Sequence, residues 1–406
     1  MNLPESPPLP PPPLPPPVSR RLLSIDAYRG FVMFLMMGEV LQFCAVASAI
    51  PASVFWKTLC HHQEHVEWVG CVLHDMIQPS FSFLVGVALP FSLASRSARG
   101  QSKFRLTLHA FWRAFILIAL GVALRSVGRP FTNYTFEDTL SQIGMGYGFL
   151  FLLGLAPRKA QWIALGLILV GYWAAFAFYP LPGSDFDYSQ TGTTADWAHN
   201  LKGFAAHWNK NTNPAWAFDR WFLNLFPRPK PFLFNGGGYA TLSFIPTLGT
   251  MILGLLAGGV LRSDRSDKGK LAWLVVAGVA SLGIGYGLGA LGICPVVKRI
   301  WTPSWVLYSG GICFLFMAAF YLLNDVSGWA GWSFPLRVIG MNSIAAYCMS
   351  GLFESFFHKR LEAHLGADSF KILGEAYAPL LHGAAVLLIL WLILYWMYRR
   401  AIFLRV

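Results

Sequence analysis

Residues 65 to 86, HVEWVGCVLHDMIQPSFSFLVG, set a histidine and an aspartate ten residues apart at the mouth of a long apolar run. Imidazole titrates near neutrality, and a carboxylate can fix its tautomer and stabilise its cation. His65 with Asp75 is therefore a candidate for proton transfer. Ionisable side chains at membrane depth are costly and usually face a cavity. Pro79, four residues beyond Asp75, has no amide hydrogen for the carbonyl of residue 75, which predicts a bent helix with a free carbonyl beside the carboxylate. His61, His62 and His74 rank below His65, because Trp68 and Gly70 follow it as a shaped turn would require. The plainer alternative ties Asp75 to another helix and leaves His65 in a wet loop. The HHQEH stretch has no fixed ligand geometry, so no metal is expected.

Other side chains could hold a charged ligand. In SIDAYRG, Asp26 and Arg29 are helix neighbours, and Arg29 is either half of an ion pair or a donor to a phosphate. Arg105 and Arg113 are about two helical turns apart; singly they read as snorkelling residues, together with Arg29 as a funnel for an anion. In GMNS, Asn342 and Ser343 fall inside an apolar stretch, where an amide either bonds a neighbouring helix or orients a ligand carbonyl. Glu39 is a further carboxylate within an apolar stretch.

The elements that must position these groups follow from composition. The 406 residues are 55% hydrophobic and only 12% charged, against roughly 25% charged in soluble domains. Apolar stretches of about 20 residues, enough to cross a bilayer, recur near 29–50, 71–95, 107–127, 137–156, 159–180, 240–261, 270–294, 303–324, 334–355 and 378–402. An all-α, polytopic bundle of about ten spans is expected, and the short alternating segments of a membrane barrel are absent. The net charge of +12 comes from basic clusters in short loops, the positive-inside pattern, so no nucleic-acid partner is expected. With an even span number those clusters share one face, which makes both termini cytoplasmic and turns the His65 loop outward. The tract PPLPPPPLPPPV lacks the apolar region of a signal peptide, so residues 1–20 read as a proline-rich disordered tail and 21–406 as the membrane domain. Its outer segments are 51–70 and a large loop at 181–239, where Trp197, Trp208, Trp216 and Trp221 suit either sugar faces or the membrane interface. Cys44, Cys294, Cys313 and Cys348 read as small core residues; Cys60 and Cys71 could pair in an oxidising compartment.

Taken in order, RLLSIDAYRG, HVEWVGCVLHDMIQPSFSFLVG, LSFIPTLGTMILGLLAGGVL, RIWTPSWVLYSGG and GMNSIAAY resemble the transmembrane acyltransferases typified by the lysosomal heparan-alpha-glucosaminide N-acetyltransferase and its bacterial relatives. The resemblance covers most of the chain from Arg21 onward. It implies transfer of an acetyl group from cytoplasmic acetyl-coenzyme A to an amino sugar or other saccharide on the outer face. The family's active histidine, in a motif of His, two residues, Trp, one residue and Gly, selects His65 with Trp68 and Gly70. His65 would deprotonate the acceptor or carry the acetyl group, Asp75 would orient it, and Asn342 or a freed backbone group would receive the developing oxyanion. Arg29, Arg105, Arg113 and Ser343 would hold the coenzyme, while Trp68, Glu39 and Trp301 would face the acceptor. The family's asparagine late in the first span has no counterpart in MFLMMGEVLQF, where Glu39 and Val40 stand, and this departure bears on the acceptor more than on the reaction. Composition fits a rival equally well, a proton-coupled transporter or flippase of a sugar or organic anion in which Asp75, Glu39 and His65 relay protons. The expected location is a bacterial inner membrane; the sequence leaves monomer and homodimer open.

Overall fold

In the computed structural model, residues 22–404 are described. The proline-rich tract, Arg20, Arg21 and Arg405 lie outside them. Fourteen α-helices make up the described chain: α1 Leu23–Met37, α2 Phe43–Ala49, α3 Val54–Gln63, α4 Ile77–Ala98, α5 Lys103–Ser126, α6 Thr139–Leu155, α7 Arg158–Ala177, α8 Pro214–Phe222, α9 Phe244–Leu261, α10 Asp267–Ala290, α11 Pro303–Tyr321, α12 Phe334–Met341, α13 Ser343–Leu365 and α14 Ala378–Arg399. Seven helices are long and apolar enough to cross a membrane, or nine if two bent pairs each count as one. The bent pairs are the expected spans near 29–50 and 334–355. In the first, Gln42 in the left-handed region follows a 3₁₀ turn and separates α1 from α2 by 41°; in the second, Asn342 separates α12 from α13 by 82°. The expected span near 137–156 is α6, at 17 residues shorter than the rest.

Burial sorts the helices. α9 is buried almost throughout and sits at the centre against α4 and α11, with Phe83, Leu84, Met251, Leu255, Trp305 and Phe314 in one core. Gly86 faces the Met251 carbonyl and Gly254 the Phe83 carbonyl so closely that a Cβ at either would strike backbone. Small residues allow such contact between membrane helices, and here they fix the depth of the helix below Asp75. A second core joins α1, α12, α13 and α14 through Met33, Met37, Val338, Ile339, Val386 and Leu390. By contrast Phe104, Phe111, Trp112 and Phe115 on α5, and Ile163, Leu167 and Val170 on α7, are exposed. So much outward apolar surface suits lipid, not water.

The large outer loop packs against α7 and the connections that hold Trp68 and Val297. Trp208 and Trp216 are buried, and the Trp216 indole donates to the Leu233 carbonyl at 2.9 Å. Neither serves as an interfacial ring or an open sugar platform; only Trp221 is well exposed. Two further expectations change. Cys60 pairs with Cys44, not Cys71, because the α1–α2 break folds Cys44 back against α3 instead of leaving it in a core. Pro79 is the third residue of α4, where first-turn amides lack helical partners in any case. The 3₁₀ turn His74–Met76 runs ahead of it into one span, His74–Ala98.

Candidate active site

His65 lies on the connection between α3 and α4, clamped against the connection between α10 and α11. Val69 and Val297 form an antiparallel bridge, the Gly70 amide donates to the Val296 carbonyl at 3.0 Å, and the Arg299 guanidinium donates to the Val66 carbonyl at 3.1 Å. Gly70 turns the chain at φ +123°, a conformation that side chains resist. On the facing segment Thr302 caps α11 and accepts from the Val297 amide at 3.0 Å, while buried Trp301 donates to Thr250 Oγ1 at 3.1 Å. This segment presents Lys298 to His65.

Three ionisable groups converge. His65 Nδ1 lies 2.7 Å from Asp75 Oδ1, and Lys298 Nζ lies 3.2 Å from both. Asp75 Oδ2 accepts from the amides of Val72 at 3.2 Å and Val66 at 3.4 Å. An ionised carboxylate can only accept, so the short contact puts the histidine proton on Nδ1 and leaves Nε2 as the basic nitrogen. The side chains of Asp75 and Lys298 are 0% and 6% exposed, that of His65 36%, so the imidazole alone opens outward. Burial lowers His65 below its ordinary value; the Asp75 hydrogen bond opposes this and the Lys298 charge reinforces it. Burial also lowers the Lys298 ammonium, with Asp75 opposing. The result is a neutral, oriented base near pH 7. The His74 ring lies tilted at 52° to that of His65 with ring centres 4.6 Å apart, and its Nε2 lies 3.1 Å from Glu39 Oε1.

A cavity of 630 Å³ opens beside His65, lined among others by Glu39, His74, Arg125, Glu137, Tyr239 and Glu354. A second cavity of 560 Å³ has Arg29, Arg96, Arg113, Tyr147 and Ser343 set in an apolar wall. Arg113 lies 4.9 Å from the centre of the Tyr147 ring and donates to its hydroxyl at 3.3 Å, while Arg29 stands 3.7 Å from Asp26. Both cavities use α1, α4, α5, α6 and α13. On α4 the linings reach Gln78 and Phe81, on α5 Gly121 and Leu117, on α6 Thr139 and Leu140, and on α13 Tyr347 and Ile344. About one helical turn, 5.4 Å, separates them on α4, α5 and α13, and on α6 the linings meet at consecutive residues.

No protein-family model matches the sequence. It is 25% identical over 379 residues to heparan-alpha-glucosaminide N-acetyltransferase of Homo sapiens, and 24% identical over 384 residues to the Mus musculus protein, covering 83% and 84% of this chain. The chain is a distant relative of these acetyltransferases. It spans about half the length of the curated relatives it matches, 54% of each.

The sequence expectations divide against this geometry. His65, Asp75 and Glu39 come together at one cavity; Arg29, Arg113 and Ser343 line the other. Asn342 is held by the C-terminal segment: its amide nitrogen donates to the Ile402 carbonyl at 2.9 Å and its oxygen accepts from the Leu404 amide at 3.1 Å, tying that segment to the arginine cavity. Arg105 is exposed and lines neither cavity, because its position near the start of α5 turns it away. Trp68 and Trp301 are buried; the Trp68 indole donates to the Trp208 carbonyl at 3.1 Å, so both rings brace the loops that carry His65 and Lys298 instead of meeting a ligand. Sequence reasoning passed over Lys298 and ranked His74 too low. Among the described residues the one group close enough for a metal ion is Cys44, Cys60 and Glu64, and its sulfurs are joined in the disulfide.

Proposed function

We propose that the protein is a membrane acetyltransferase that moves an acetyl group from acetyl-coenzyme A, held in the arginine cavity, to an amino sugar or other saccharide in the His65 cavity. The observation that carries this reading is the abutment of a cationic cavity and a His–Asp cavity on the same helices. The positive-inside pattern makes the arginine end cytoplasmic, so His65 faces outward, in keeping with a bacterial inner membrane.

The arginine cavity fits the donor. Arg29, Arg96 and Arg113 line it with no carboxylate among the described residues of its wall, and Arg113 Nε is buried without a hydrogen-bond partner. Guanidinium groups pair well with phosphate, and Phe81, Leu84 and Val85 offer an apolar wall toward the His65 end. Acetyl-coenzyme A supplies a thioester carbonyl open to nucleophilic attack. His65 Nε2 takes the proton of the acceptor nitrogen or oxygen as that atom bonds to the carbonyl carbon. The carbon–sulfur bond breaks, and His65 returns the proton to the leaving sulfur. Asp75 and Lys298 hold the ring in the tautomer this requires.

The test is binding of radiolabelled acetyl-coenzyme A to the purified chain, wild type against His65→Ala, followed by release of free coenzyme A on adding glucosamine. Both proteins should bind, and only wild type should release. Full release by folded His65→Ala would remove the assignment, and movement of glucosamine without acetyl-coenzyme A consumption would favour transport.

A further inference from the structure

The wall of the His65 cavity carries more negative charge than the chemistry above uses. Glu39, Glu137, Asp138 and Glu354 line it from three places, the 3₁₀ turn after α1, the α5–α6 connection and α13, against two cations, Arg125 and Lys298. Lys298 is already engaged with Asp75 at 3.2 Å, and the charge of Arg125 bears on Glu137. His74 Nε2 lies 3.1 Å from one oxygen of Glu39, which leaves its other oxygen, Asp138 and Glu354 in excess. Asp138 is 3% exposed; one carboxylate oxygen caps α6 by accepting from Leu140 and Ser141, and the other is buried with no hydrogen-bond partner. On α13, in the same lining, the Ser350 hydroxyl is likewise buried and unpartnered. An orphaned carboxylate oxygen in a cavity wall calls for an N–H or O–H donor, best of all a charged one. The arginine cavity, with no carboxylate among the described residues of its lining, makes the opposite demand.

We propose that the His65 cavity selects an acceptor by charge: a small amino sugar that enters as its ammonium and bears no acidic group. This rests on the acetyltransferase reading of the same site. Glu39, Asp138 and Glu354 receive the ammonium, and sulfated or carboxylated amines are refused by like-charge repulsion. The bound ammonium gives one proton to solvent and its second to His65 as nitrogen attacks, so ammonium and thioester become amide, free thiol and one released proton.

The full chain in detergent, loaded with acetyl-coenzyme A, is offered glucosamine and, separately, glucosamine 6-sulfate, and coenzyme A release is followed. Binding of radiolabelled glucosamine, with the sulfate as competitor, is measured in parallel. Wild type should use glucosamine at least tenfold better by kcat/KM, and Glu354→Lys should narrow or invert that ratio. Glu39→Gln and Glu354→Gln, which keep the shape of the side chain, should each weaken glucosamine binding severalfold. Equal use of the two sugars, or equal competition by the sulfate, overturns the charge selection while leaving the acetyltransferase reading intact. Selective glucosamine binding without coenzyme A release from any amine overturns the acetyltransferase reading and leaves the charge selection standing.

Discussion

The two cavities stand on the same five helices and differ in almost every other respect. At the arginine end, three guanidinium groups on α1, α4 and α5 reach a common space from an apolar wall. At the other end, His65 and Asp75 from one connection and Lys298 from another, with up to 233 residues between them, meet within 3.2 Å. Long side chains can gather around an anion from approximate positions, because charge acts over several ångströms. Proton transfer needs hydrogen-bond contact, and only a folded clamp such as the Val69–Val297 bridge gives that. The arginine end is therefore tolerant and the histidine end exacting.

Substitutions should separate the ends in proportion. His65→Ala should lower acetyl transfer by about 10²- to 10⁴-fold with coenzyme A affinity unchanged, as single-turnover and binding measurements would show. Loss of affinity instead would mean that the cavities are not distinct. Asp75→Asn should be the most destabilising change at the site, by about 3–5 kcal/mol, because it leaves the buried Lys298 charge without its partner; detergent-resistant thermal melts read this directly. Replacing Arg29 and Arg113 together by Ala should weaken coenzyme A binding by roughly 1.5–3 kcal/mol for each charged bond lost, yet leave the acid limb of the pH profile in place. Retained binding would remove the phosphate role.

Lys298→Met sharpens the comparison in the other direction. In wild type, His65 lies below its ordinary value, about 6.5, so its basic form persists into mildly acidic solution and the rate falls only below that point. Lys298 charge helps to hold that value down. Its removal should raise the His65 value and move the acid limb to higher pH, with no effect on coenzyme A affinity. The smallest effect should come from Asn342→Ala, which loses two hydrogen bonds to the C-terminal segment at about 1 kcal/mol each and should show only as weaker coenzyme A binding.

The same contrast explains what the sequence made legible. Arg29 and Arg113 stand out by residue type alone, since guanidinium groups near apolar stretches follow a simple charge rule. His65 and Asp75 were readable because both lie at one span entrance. Lys298 was not: a single lysine between spans looks like any snorkelling cation. The available signal was that Lys298 and Arg299 lie away from the basic clusters shared by the other loops. Trp68 and Trp301 misled because an indole suits a sugar face and a packed loop equally well. Hydropathy marked where helices lie but not their direction, so the breaks at Gln42 and Asn342, and the Cys44–Cys60 pairing that follows the first of them, had no sequence signature.

The central claim is that the arginine and histidine cavities serve one reaction from opposite faces of a membrane. Proteoliposomes with acetyl-coenzyme A sealed on one side and glucosamine on the other test it most directly. The account predicts His65-dependent acetylation when the two substrates are on opposite sides. Acetylation only when both share a side would contradict it.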